Sequence, residues 1–132
     1  MKNKSINSTP YLKSLFILFT FLSLLANGQE RNVEQYYQHI NKAELLLTEG
    51  KLDSSSHHFS AGFKHLPFPF SRHVYNAALV DAQLMRYNNV HEYVNYLLQL
   101  GYPFDSLDNA PHFKVFFKTP EGKKLVAVKS QI

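Results

Sequence analysis

The stretch SRHVYNAALVDAQLMRYNNVHEYVNYLLQL, residues Ser71–Leu100, decides the fold. Its apolar residues recur three and four apart. Val74, Ala77, Ala78, Leu84 and Met85 make one inner stripe, Asn88-Asn89 marks a turn, and Val90, Tyr93, Val94, Leu97 and Leu98 make a second stripe. That is the period of two amphipathic helices joined by a short turn. Ser71 is placed to cap the first, while Gly101 and Pro103 stop the second. Upstream, Val33, Tyr36, Tyr37, Ile40, Ala43 and Leu47 predict a helix over 32–48 that ends at Gly50. Asp53 then caps a helix carrying Ser55, Phe59, Gly62, Phe63 and Leu66, until Pro67 and Pro69 break it. Downstream comes a loop over 105–109. Pro111 then opens a short helix with Phe113, Phe116 and Phe117, and Pro120 a last one with Leu125, Val126 and Val128. No run alternates convincingly as a strand, so the expected fold is all-α.

Self-comparison adds a repeat. Gly50-Lys51-Leu52-Asp53 and Met85-Arg86-Tyr87-Asn88 are turns 35 residues apart, and Phe59 with Phe63 falls on Val94 with Leu98. Leu66-Pro67-Phe68 is echoed by Tyr102-Pro103-Phe104, one residue late. A period near 34 with two helices per unit resembles the tetratricopeptide repeat. Its signature places are held by His39, Lys42, Ala43, Leu46, Ser55, Phe59 and Pro67, then by Val74, Ala77, Ala78, Asp81, Val90, Val94 and Tyr102. The opening Trp is absent, and Asp81 stands where the family has an aromatic. The resemblance implies two helical hairpins over 29–105 and capping helices over 106–132, which hide the last apolar face of the array with Phe113, Phe116, Phe117, Leu125 and Val126. It also implies a groove, lined by the first helix of each pair, that holds a peptide or a partner helix. The groove places are Tyr37, Ile40, Glu44 and Leu47, then Arg72, Tyr75, Asn76, Leu79 and Ala82.

The chain has 132 residues, 14 of them Lys or Arg and 10 Asp or Glu, a formal net charge of +4. Three of the positive charges, Lys2, Lys4 and Lys13, precede the apolar run LFILFTFLSLL (Leu15–Leu25) and the small residues of Ala26-Asn27-Gly28. A positive start, an apolar middle of about 7–15 residues and a small-x-small site read as a secretory signal over 1–28, cleaved after Gly28. At 11 residues the run is shorter than the roughly 20 that a membrane span needs. The expected mature chain, Gln29–Ile132, has no span and carries 11 basic against 10 acidic side chains. Near-neutral charge argues against nucleic acid as a partner, and the lysines at 118, 123, 124 and 129 read as a solvated helix face.

Catalytic and metal constellations are not evident in the sequence. There is no cysteine, hence no thiol nucleophile or thiolate site. Ser54-Ser55-Ser56-His57-His58 has no G-x-S-x-G elbow. Glu44, Glu49, Asp53 and Asp81 lack the spacing of paired catalytic carboxylates, and there is no glycine-rich phosphate loop. Of the seven histidines no two have the three-or-four spacing of a helical zinc site, although His58 and His65 share a face. No metal ligand or cofactor is assigned, and the histidines read as solvated polar side chains. The expectation is an exported, non-enzymatic protein- or peptide-binding module of the bacterial envelope, secreted or periplasmic. The alternative is a small helical bundle whose histidines carry a metal or cofactor.

Overall fold

The structure is a computed structural model and describes residues 10–129. Residues 1–9 and 130–132, and the side chains of 10–16, 18–27, 128 and 129, lie outside the description, so the start of the expected export signal over 1–28 and nearly all its side chains lie outside it too. The chain is all-α. Helices α1 (Pro10–Thr48), α2 (Leu52–Phe63), α3 (Ser71–Gln83) and α4 (Tyr87–Gln99) form two hairpins, followed by α5 (Phe104–Asp108), 3₁₀ turns at Pro111–Phe113 and Phe116–Lys118, and α6 (Pro120–Lys129). Among the described residues no helix is long and apolar enough to cross a membrane.

The first helix begins at Pro10, well before the expected residue 32. A lone glycine, Gly28, costs a helix only about 1 kcal/mol and does not end it. At 1.5 Å per residue the 12-residue α2 covers only about 18 Å of its partner. Tyr36, Ile40 and Ala43 lie under that cover and are buried, whereas Val33 projects beyond it and is exposed.

The hairpin turns share a backbone design. At Gly50 the Gly50 N–H bonds to the Leu47 carbonyl and the Lys51 N–H to that of Leu46; at Met85 the donors are Met85 and Arg86, and the acceptors Ala82 and Asp81. Both are Schellman stops with a left-handed residue, Gly50 at φ 72° and Met85 at φ 56°. The residue that follows is nearly superposable, Lys51 at φ −87°, ψ 68° and Arg86 at φ −85°, ψ 64°. Met85, expected on the inner stripe, is therefore turned out into solvent. A side chain in left-handed backbone costs roughly 1–2 kcal/mol, partly offset by the unfolded-state freedom that glycine adds. Met85→Gly should thus stabilise the fold by about 0.5–1 kcal/mol, read as a higher urea midpoint at unchanged slope.

Several local expectations are corrected. Asp53 and Ser71 cap nothing: the N-cap positions are Lys51 and Phe70, without a side-chain cap bond. Asn88 and Asn89 sit in the first turn of α4, and 105–109 is mostly helical in α5. The segment after Pro111 makes two 3₁₀ turns in place of one helix. At α6, Thr119 caps the helix by accepting the Gly122 N–H at 3.2 Å.

Two apolar clusters share α3. Ala77 and Val80 join Tyr36, Ile40, Ala43 and Phe59. Val74 and Ala78 join Val90, Val94, Leu97, Leu107, Phe113, Phe116, Phe117 and Leu125. The C-terminal segment thus covers the second hairpin with its phenylalanines and Leu125, but Val126 is exposed and takes no part.

Candidate functional site

Three polar arrangements stand out. On the face shared by α1 and α3, Asn76 donates its Nδ2–H to Glu44 Oε1 at 3.2 Å, and the Arg72 guanidinium lies 3.9 Å from the same oxygen. The Arg72 side chain is 80% exposed, so this ion pair contributes little to stability and leaves the guanidinium available. Two turns toward the start of α1, Tyr37 stacks on Phe70 with centroids 6.2 Å apart and meets His73 edge-on. Tyr37, Phe68 and Phe70 are all exposed, Phe68 at 78%.

The remaining expected groove residues are placed elsewhere. Ile40 is 1% exposed and belongs to the core, so no partner can reach it. Leu47 and Leu79 are half-buried against the two clusters, and Ala82 against the second. Tyr75 is turned toward the C-terminal segment, stacking on Tyr102 and meeting Phe113 edge-on. Of the expected groove residues, Glu44, Arg72 and Asn76 come together, and Tyr37 stands two turns along α1 from them, beside Phe70.

Beneath that face a relay fixes the α2–α3 connection. Tyr36 Oη accepts the Phe70 N–H at 3.2 Å and lies 2.6 Å from His73 Nδ1. One hydrogen bond joins Tyr36 Oη to His73 Nδ1, its proton carried by the phenol or by the imidazole according to the His73 tautomer. Burial raises the Tyr36 pKa. The His73 pKa is lowered, first by burial, with Glu44 opposing and Arg72 reinforcing the shift. The unfolded chain therefore binds a proton near pH 6.5 that the native chain refuses. Stability is full above that value and declines as pH falls through it. The urea midpoint should be lower at pH 5 than at pH 7.5. In His73→Asn, which keeps an acceptor for Tyr36 but does not titrate, that difference should shrink. His58, whose pKa burial also lowers, adds a decline of the same sign.

The third arrangement is buried. Asp81 is 1% exposed; its Oδ1 accepts the Ser56 hydroxyl at 2.6 Å and its Oδ2 the Asn89 amide at 2.9 Å. Arg86 donates to Ser56 at 2.9 Å and to Asp53 at 2.6 Å. Sequence reasoning missed this network, although one signal was present. Asp81 is 35 residues after the buried Leu46, so the repeat register sets a carboxylate where the first hairpin has a leucine. A buried carboxylate requires partners.

No protein-family model, curated protein or solved structure matches the chain. Its function is therefore argued from its own side chains. The histidines are more engaged than the solvated reading held: among the seven, only His57 and His112 are exposed. His91 Nδ1 bonds to the Glu121 carbonyl at 2.9 Å, joining α4 to α6. Among the described residues no three His, Asp or Glu side chains are grouped so as to enclose a metal ion.

Proposed function

We propose that this is an exported, non-enzymatic helical module of the tetratricopeptide type that binds a protein or peptide segment across α1 and α3. One observation carries the reading: Glu44, Arg72 and Asn76, drawn from the first helices of both hairpins, meet with the guanidinium exposed, and the exposed Tyr37 ring stands two turns along α1 from them. Tyr and Arg supply most of the binding energy at such surfaces, Arg by forked bonds to carboxylate or main-chain oxygens and Tyr by rigid contact area. The exposed Phe68 and Phe70 extend the apolar part of the face. The favoured ligand is a peptide with an aromatic or aliphatic anchor beside a carboxylate.

The test is capture of a partner from an envelope fraction by immobilised full-length chain. Identified partners are then titrated against Tyr37→Ala combined with Arg72→Ala. Binding should weaken at least tenfold, and Arg72→Ala alone, whose side chain is 80% exposed, should weaken it without moving the unfolding midpoint, whereas Tyr37→Ala also gives up the stacking on Phe70. Unchanged affinity in the double variant would remove this face from consideration. Tyr75→Ala is the contrasting variant: it should lower stability first, since that ring packs on Tyr102 and Phe113.

A further inference from the structure

The first hairpin brings together histidines that the α1–α3 face does not use. His39 of α1 and His58 of α2 approach with their Nδ1 atoms 3.1 Å apart, the ring centroids separated by 5.4 Å. His65, just past the end of α2, lies nearly parallel to His39, with centroids 5.6 Å apart and planes at 14°. The pair is held closely by the backbone, since a Cβ on Gly62 would stand 3.2 Å from His39 Cβ. One ring donates a proton to the lone pair of the other.

Two imidazole nitrogens in that relation also have the geometry of a chelate. With metal–nitrogen bonds of about 2.0–2.1 Å, two nitrogens on one ion are about 2.9 Å apart at a right angle and about 3.3 Å apart at the tetrahedral angle. The observed separation falls between these limits. For both Nδ1 atoms to bind one cation, the donating ring takes the tautomer with its proton on Nε2 and the rings rotate, with little backbone movement. Among the described residues there is no three-ligand group of histidines and acids, which argues against a closed zinc cage. A partial nitrogen set completed by water suits tetragonal Cu(II).

We infer that His39 and His58 form a two-imidazole site for a divalent transition-metal ion, Cu(II) being the best fit, with His65 as the positioning residue that fixes the plane of His39. The site takes no residue from the α1–α3 face, and the two assignments stand or fall separately.

The full chain, produced without a polyhistidine tag, is titrated with copper(II) chloride and followed by electron paramagnetic resonance. The expected result is saturation at one equivalent, with splitting from two nitrogens. His39→Gln and His58→Gln should each weaken binding by at least about tenfold and reduce the pattern to one nitrogen, while exposed His112→Gln changes neither. His65→Phe, which keeps a ring for stacking, should retain both nitrogens. A wild-type signal with any other nitrogen count would overturn the assignment even if a variant failed to fold, as would binding that survives both His39→Gln and His58→Gln.

Discussion

Asp81→Ala is expected to remove about 3–5 kcal/mol of stability, the range for breaking a buried charged network by deleting one member. Two donors lose their acceptor, the Ser56 hydroxyl and the Asn89 amide, and neither sits where water replaces it freely. Each unsatisfied group costs about 1–3 kcal/mol. Arg86 contributes less to the loss, because it reaches Asp81 only at 3.8 Å and keeps its 2.6 Å bond to the exposed Asp53. For a chain whose whole stability is on the order of 5–15 kcal/mol, the variant should melt more than roughly 10 °C lower. It should also loosen α2 from α3 and α4 from α3, seen as faster amide exchange at both contacts. A companion variant separates network from packing. Asp81→Leu combined with Ser56→Ala and Asn89→Leu removes the two donors to the carboxylate along with the acceptor, leaves Arg86 its bond to Asp53, and restores at 81 the residue type the first hairpin has at Leu46. It should recover much of the lost midpoint, since replacing all partners of a buried polar cluster by apolar groups is far less costly than orphaning them. If the single and triple variants melt alike, the carboxylate is not what joins these helices.

The all-α fold was legible because helical periodicity is a property of each segment alone. The apolar stripes that run through Tyr36, Ile40 and Ala43, and through Val90, Val94 and Leu97, lie in the core where their spacing put them. What local pattern could not supply was the ends. Met85 looks like one more stripe residue, yet it is turned out because the chain needs a left-handed residue there, and no glycine marks the place. Asp53 and Ser71 are good caps by residue type, but the entering backbone at Lys51 and Phe70 takes the cap position one or two residues earlier. The site was half legible for a related reason. Helical spacing puts Tyr37, Glu44, Arg72 and Asn76 on outward faces, where the last three meet. Ile40 and Tyr75 are assigned to the same faces by register, but α2 covers the first and Tyr102 with Phe113 covers the second, and those are long-range contacts. The histidine pair of α1 and α2 was hidden the same way: 19 residues separate His39 from His58, and only closure of the hairpin makes them neighbours.

Gly122→Ala is expected to unseat the C-terminal segment while leaving both hairpins folded. Gly122 is buried in α6, and its backbone lies directly on the turn that precedes the helix. A methyl group there would stand 2.6 Å from Phe117 Cα and 2.8 Å from the Phe116 carbonyl carbon, with the Phe116 oxygen nearer still. All three are backbone atoms, so no rotamer change relieves the clash, and the helix must move away. Overpacking costs typically 1–3 kcal/mol where side chains can adjust and more where they cannot. Displacing α6 also withdraws Leu125 from Phe113, Phe116 and Phe117 and breaks the His91 bond to Glu121. Because α6 packs chiefly on its own turn and on α4, and none of its residues joins the Tyr36, Ile40 and Phe59 cluster, that cluster should survive. Limited proteolysis should then cut after Lys114, Lys118 or Lys123 at enzyme levels that leave the parent chain intact, with most far-UV helix signal retained. Gly50→Ala is the measure of scale: nothing crowds a Cβ there, so only the left-handed backbone at φ 72° is penalised, by about 1 kcal/mol. If Gly122→Ala cost no more than Gly50→Ala and left those lysines protected, the close approach of α6 to its turn would not be what holds the phenylalanines in place.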